Sequence, residues 1–200
     1  SIKLKHASGN GVIIAAPSSN PAADRTITLP STADGTMLTT TNPKAGNIIQ
    51  VLQTVKTDTF STSSTSYADI TGLSVSITPS SSSNKILVMM HVQIGHSSDV
   101  SAFLRLVRGS TAIAVGTGVS SRIACTVGMF DDPSDDECNS TSMMFLDSPA
   151  TTSATTYKIQ MVTEASGNTG SCFVNRSGED ADNNQCGRPV SAITVMEVAA

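Results

Sequence analysis

Five carboxylates crowd one stretch of this 200-residue chain: Asp131, Asp132, Asp135, Asp136 and Glu137, in the run Asp-Asp-Pro-Ser-Asp-Asp-Glu. Hard cations such as calcium take about six to eight oxygen ligands. A loop this dense in carboxylate is therefore a candidate calcium site, with Asp131, Asp132, Asp135 and Asp136 as its ligands. The alternate-residue ligand spacing and central glycine of an EF-hand loop are missing, and the plain alternative is a solvated acidic tip. A second acidic stretch, Gly178-Glu179-Asp180-Ala181-Asp182, could add ligands if the two loops meet. No cofactor motif is present, so calcium is the only cofactor suggested.

Four cysteines offer the next chemistry. Cys125, Cys138, Cys172 and Cys186 allow three pairings, and none forms a C-x-x-C unit or has a histidine close by in sequence. That spacing disfavours zinc and thioredoxin-like redox chemistry. Sequential pairing would close two loops of about 14 residues, each contributing around 3 kcal/mol in the loop-entropy picture. Pairing Cys138 with Cys186 would instead clamp the two acidic loops together, and four free thiols are the remaining alternative. His91 and His96 fall on opposite faces of an expected strand, while His6 lies near the start of the chain. In a trimer, three copies of His91 could ring a symmetry axis and hold an anion or a metal; a packed or surface histidine is the plain alternative.

Hydrolytic chemistry has less to stand on. G-x-S-x-G is absent, and no Ser-His-Asp arrangement is recognisable among the many serines. Acidic loops leave room for a carboxylate pair that cleaves glycosides, but nothing marks one. Asn139-Ser140-Thr141 and Asn175-Arg176-Ser177 match the glycosylation pattern, as Ser/Thr-rich chains do by chance. We therefore expect no enzyme, and place surface binding on Glu137, Asn139, Arg176, Glu179, Asp180 and Asp182 in the two polar loops.

The elements that must carry these loops read as strands throughout. Ser and Thr supply about 55 positions and charged residues only 14 %, against roughly 25 % in an average domain. β-Branched side chains lose rotamer freedom in helices and fit pleated sheets, so this composition favours β structure. Lys85 to Gly95 is the strongest strand: Ile86, Val88, Met90, Val92 and Ile94 alternate with Leu87, Met89, His91 and Gln93. Apolar residues on much of both faces predict burial on both sides. Ile48 to Lys56, Tyr67 to Thr78 (with Gly72 a candidate bulge), Ser142 to Asp147, Tyr157 to Val162, Ser171 to Asn175 and Ser191 to Val198 add further strands. Ala102 to Arg108 and Thr111 to Gly116 predict a hairpin across Gly109-Ser110. Gly118 to Ser140 and Arg176 to Pro189 read as strand-free. In a β-sandwich such loops gather at the ends, where partners are met.

Residues 1–43 read differently. Ser1 to His6, Val12 to Ile14, Arg25 to Leu29 and Thr36 to Thr40 are short strands cut by turns at Asn10-Gly11, around Pro17 and Asn20-Pro21, and at Asp34-Gly35. So few large apolar side chains cannot bury enough surface to fold alone, which points to partner chains. We divide the chain into an N-terminal β-arm, 1–43, and a β-sandwich, 44–200. Net charge is −4, there is no Trp, and only two Tyr and five Phe are present. Neither an electrostatic footprint nor a stacking platform for nucleic acid is there. No run approaches the roughly 20 apolar residues that cross a bilayer, and no signal-peptide pattern is seen.

Three passages add a resemblance. Ile2-Lys3-Leu4-Lys5-His6, followed by Gly9-Asn10-Gly11-Val12 and Arg25-Thr26-Ile27-Thr28-Leu29-Pro30, resembles the arm of tail-fibre-type proteins from marine phages, especially those of cyanobacteria. Gly46-Asn47-Ile48-Ile49-Gln50-Val51, with Lys56-Thr57-Asp58-Thr59-Phe60, is similar to the start of their globular domain. Phe173-Val174-Asn175-Arg176-Ser177 and Ser191-Ala192-Ile193-Thr194-Val195-Met196-Glu197-Val198 are similar to its close. The cysteines and the Asp131 to Glu137 loop lie outside that pattern.

Such domains look like trimeric jelly rolls of the tumour-necrosis-factor type. The resemblance implies an all-β antiparallel jelly-roll sandwich, a homotrimer, and a place on the virion exterior, at the tail or on the capsid. The arm would bind other virion proteins, and the loops a host-surface glycan. Assembly in a reducing cytoplasm would delay any disulfide until release. The first reading is a tail fibre or adhesin; the second is a capsid decoration or head-fibre protein anchored by its arm; the third is a glycan depolymerase.

Overall fold

The computed structural model describes residues 2–5, 8–9, 11–14, 18, 43–97, 100–130, 136–164 and 170–200. The chain divides into two compact units, Ser1–Met37 and Leu38–Ala200. In the first, β1 (Ile2–Lys5) and β2 (Gly11–Ile14) pair antiparallel, with Lys5 opposite Gly11 and Ile2 opposite Ile14. Gly11 thus belongs to the ladder, and the φ of +113° falls at Gly9 instead, so the expected turn at Asn10-Gly11 is displaced. The other strands and turns expected between Pro17 and Thr40 lie outside the described residues.

The second unit is all-β, with no helix among the described residues. Eleven strands follow in order: β3 (Ile48–Lys56), β4 (Phe60–Thr62), β5 (Ala68–Ile77), β6 (Lys85–His96), β7 (Ala102–Arg108), β8 (Thr111–Ile113), β9 (Val127–Met129), β10 (Asn139–Asp147), β11 (Thr155–Thr163), β12 (Cys172–Val174) and β13 (Ser191–Val198). One sheet runs β3, β13, β6, β10, and the other β5, β11, β7, β8 with β9 beside β8's edge of β7. Among the eight principal strands in chain order this is first–eighth–third–sixth facing second–seventh–fourth–fifth. That is the jelly-roll order, in which two Greek keys wrap into a sandwich. β12 and β4 extend the first sheet beyond the start of β13, pairing with Ile94 to His96 and with each other.

The core lies between the sheets and follows strand parity. Ile86, Val88, Val92 and Ile94 of β6 face Leu104 and Leu106 of β7 and Ile159 and Met161 of β11 within one buried cluster. Each such side chain contributes roughly 1.5–3 kcal/mol when fully buried. In β5 the parity breaks, because Ile70 and Leu73, three apart, are both buried. The register there steps from Lys158 opposite Ser74 to Gln160 opposite Asp69, so β5 bulges around Gly72 at φ +78°. A glycine carries that backbone without strain. The Gly109-Ser110 turn is also formed, with Arg108 opposite Thr111 and Gly109 at φ +60°.

Two expectations need correction. Gly118 to Ser140 is not strand-free: β9 crosses it, and β10 already starts at Asn139. Three residues of Val-Gly-Met carry too little periodicity to be seen in sequence. The second is one of degree: within one chain only one face of β6 is buried, since His91 is exposed and Leu87, Met89 and Gln93 are half-buried, so the expected burial on both sides would need a second chain.

Candidate functional site

The outward face of the first sheet follows from the ladder. Val55, Ala192, His91 and Ser142 form one row across β3, β13, β6 and β10. Gln53, Thr194, Met89 and Met144 form the next, and Val51, Met196, Leu87 and Leu146 the third. Val51, Val55, Leu146 and Met144 are 53, 49, 53 and 65 % exposed, values that place large apolar groups in water. The face carries no carboxylate among the described residues; its one charge, Lys85, lies at the margin and donates to Ser148 Oγ at 2.8 Å. A shallow groove of about 500 Å³ runs over it between Gln53, Met89, His91 and Met144. His91 shares this surface with Gln93, whose Nε2 is 2.9 Å from the His91 Nε2 and donates to Ser140 Oγ.

The opposite outer face, on the second sheet, is wet and wired. Lys158 Nζ meets Asp69 at 2.7 Å, Gln160 Nε2 donates to the other Asp69 oxygen, and Arg105 Nε donates to Gln160 Oε1. The Lys158 ammonium and the Gln160 amide hold the Asp69 carboxyl below its usual range. Arg105 also lies 4.0 Å above the Tyr67 ring. Two faces of one sandwich thus differ in kind.

The loops predicted for binding gather at one end of the first sheet. Asn139 and Val174 flank Ile94 on opposite edges of β6, so the segments before β10 and after β12 emerge together. The second loop is held by Asn175, fully buried at φ +63°. Its Nδ2 donates to the Lys56 and Asp58 carbonyls, and its Oδ1 accepts from Ser191 Oγ, which in turn accepts from Gln93 N–H. One side chain therefore joins the β3–β4 corner to the starts of the loop and of β13. Burial also removes Asn175 as a glycosylation acceptor. Arg176 stacks 3.7 Å over Phe173 and pairs with Asp180 at 2.8 Å, and Arg188 pairs with the same carboxylate. Arg188 first and then Arg176 hold the Asp180 carboxyl below its ordinary value. Arg176 and Asp180 thus hold the shape of the loop expected to bind, each still partly exposed. Glu137, Asn139, Glu179 and Asp182 remain exposed; Asn139 Nδ2 donates to Glu137 Oε2 at 3.0 Å.

Of the calcium candidates, Asp131, Asp132 and Asp135 lie outside the described residues, and Asp136 is exposed. Among the described residues no three His, Cys, Asp or Glu side chains gather into a metal-holding group. The expected disulfides are not made: Cys125, Cys138, Cys172 and Cys186 are all free thiols. Strand parity explains part of this, because Cys172 points into the core from β12, its Sγ 3.6 Å from the Ser101 carbonyl. Cys186 sits in the loop, 3.7 Å from Glu179 Oε2. Burial, with the nearby Glu164 charge, pushes the Cys172 thiol up to about 12, and burial alone raises Cys125 and Cys138. Protonated thiols are poor nucleophiles and poor metal ligands. His96 is buried with Nδ1 2.8 Å from the Ser97 carbonyl, and His6 lies outside the described residues.

Two residues of structural weight escaped the sequence reading. Glu197 is fully buried, accepting from Ser80 N–H and Oγ at 2.7 Å and from Asn84 Nδ2 and Gln50 Nε2 at 2.6 Å. Asp147 at the end of β10 accepts Tyr157 O–H at 2.6 Å and two bonds from Arg108, tying the first sheet to β11 and β7 of the second. Strand parity was a usable signal for both, because each sits at an inward position.

No protein-family model and no curated protein sequence matches the chain. Among solved structures, that of the infectious bursal disease virus Gt strain is similar at 16 % identity and a TM-score of 0.42, over 88 % of this chain and 43 % of that one. The crystal structure of the infectious bursal disease virus VP2 subviral particle is similar at 15 % identity and a TM-score of 0.42, over 88 % of this chain and 42 % of that one. The chain spans about two fifths of the length of those proteins.

Proposed function

We propose that this chain is a non-enzymatic structural protein of a bacteriophage particle, assembled as a homotrimer on the outside of the virion. The observation that carries the reading is the contrast between the two outer sheet faces. Three rows across four strands cover roughly 400 Å² with eight of their twelve side chains apolar, the size of an ordinary monomer's largest apolar patch, which is often functional. A second copy is the occupant that fits. This face has no carboxylate among the described residues, so pairing two copies through it buries no acidic groups of the net −4 chain against one another. The wired polar face is then the one left in water.

The similarity of three sequence passages to tail-fibre-type proteins favours a fibre or adhesin that displays its polar loops to the host surface. The N-terminal residues would join it to other virion proteins. Sedimentation equilibrium tests the assembly: the expected mass is about three times 20.6 kDa. A clean monomer at micromolar concentration would overturn the proposal. Labelled antibody on intact particles separates the two placements. Label at the tail supports the fibre reading, and label on the shell replaces it with a capsid decoration.

A further inference from the structure

We propose that the cavity at the start of β7 is a saccharide-binding pocket, formed by an aromatic floor from Phe103 and Phe130 and a polar rim from Arg122, Ser121 and Glu164. Its volume is about 730 Å³, within the range of about 300–1,000 Å³ that holds small ligands. It shares no lining residue with the groove on the first sheet.

The floor is built by the ladder. Ala102 and Leu104 point into the core, so Phe103 points out, opposite Gly128 of β9. A Cβ on Gly128 would lie 2.8 Å from Phe103 Cδ1, so the missing side chain is what lets the ring lie against β9. Phe130 stands edge-on to it, with ring centroids 5.9 Å apart at 82°. At 72 % exposure Phe130 is the most exposed large hydrophobic side chain among the described residues. An aromatic ring carries about 150–250 Å² of buriable surface, so a ligand that enters the cavity and covers Phe130 would gain from removing that ring from water.

The rim is equally fixed. The segment after β8 is tied down by Gly116 N–H to Cys125 O, Thr126 N–H to Leu104 O, and Tyr67 O–H to Ala124 O, all within 2.9 Å. It turns at Ser120, φ +57°, which sets Ser121 and Arg122 at the mouth, and Arg122 N–H closes the turn onto Val119 O. Glu164 follows β11, its N–H bonded to Ser101 O.

The two halves of the pocket select the ligand class. Aromatic faces carry partial negative charge and accept the C–H-rich face of a pyranose ring, whose C–H bonds are weakly positive. The Arg122 guanidinium offers several donors and the Ser121 hydroxyl both donates and accepts, which suits the vicinal hydroxyls at the ring's edge. A wholly apolar ligand would strip water from Arg122 and return no hydrogen bond. A nucleic acid would need more cations than one arginine in a chain of net charge −4. The inference deepens the proposed display role only by naming what is met there; each protomer holds a whole pocket, so it stands without the trimer.

The test is saturation-transfer and titration NMR on the full chain with methyl glycosides of glucose, galactose, N-acetylglucosamine and glucuronic acid at millimolar concentration. At least one should bind saturably. Phe130→Ala and Arg122→Ala, both at exposed positions, should each weaken it by about tenfold or more without moving Tm or the sedimentation mass. Gly128→Ala, which displaces the Phe103 ring, should weaken it as well. A glucuronide bound more tightly than the glucoside assigns Arg122 to a carboxylate, and equal binding assigns it to hydroxyls; both support the pocket. Failure of all four sugars to bind the folded protein, or wild-type affinity in Phe130→Ala, overturns it, whatever the sedimentation mass.

Discussion

Glu197 shows how a single buried charge can be made an asset. Burial alone would push its carboxyl up, but the donors on Asn84, Ser80 and Gln50 more than reverse this and hold it below the ordinary 4.5. A group whose folded value is depressed adds stability above its unfolded value and loses it as pH falls through the folded one. The protein should therefore melt at progressively lower temperature as the buffer is taken below about pH 4.5, and part of that slope belongs to Glu197. In Glu197→Gln the amide turns an NH₂ towards donors, costing about 2–3 kcal/mol at neutral pH. Calorimetry from neutral pH downward should show the variant starting lower and falling less steeply. A variant as acid-sensitive as the parent would remove Glu197 from the account.

At the scale of elements, the sequence made most of the second unit legible where parity was strict. Ile86 to Ile94 announce β6 and its inward face, and Gly72 between Ile70 and Leu73 marks the bulge, because alternation and a glycine at its break are both local signals. The loop end was not legible. Its stability comes from Asn175 reaching carbonyls of Lys56 and Asp58, far away in sequence, and no local pattern encodes such a reach. The exposed apolar rows were half-legible: the apolar residues opposite Ile86 to Ile94 predict a second buried face, and in the single chain that face is half-buried to exposed, so any further burial of it must come from another chain. The Phe103–Phe130 floor was missed because β9 is three residues long. Gly95 marks where this packing is tightest, since a Cβ there would fall on the Arg176 carbonyl oxygen and 2.9 Å from Ser177 Cα. Both are backbone-bound, so Gly95→Ala must displace the loop from β6. We expect a loss of about 1–3 kcal/mol, read by denaturant unfolding, and faster protease nicking between Arg176 and Pro189. Unchanged nicking would mean that the loop does not depend on this contact.

For the molecule as a whole, the difference between the two outer faces makes a sharp demand on assembly. A charge placed at Leu146, which is 53 % exposed in one chain, touches no core side chain of that chain. Leu146→Lys should therefore leave the monomer's Tm within a degree or two while reducing the sedimentation mass to one third, because three ammonium groups would be buried without partners. A trimer that survives Leu146→Lys would move the contact to another surface.

The jelly-roll order also sets the tempo of folding. Among the described residues, β3 finds its ladder partner only in β13, where Ile48 meets Val198, and β5 only in β11. Pairings so distant must pay loop-closure entropy before any contact rewards it, which places such folds among the slow ones. On the ribosome, Ile48 to Lys56 must wait unpaired for nearly the whole of the sandwich to be made. Its exposed valines, Val51 and Val55, are then free to find the same strand on a neighbouring nascent chain. The surface proposed to join finished copies is thus also the one most prone to join unfinished ones, and polysome density rather than sequence would set the yield of soluble protein.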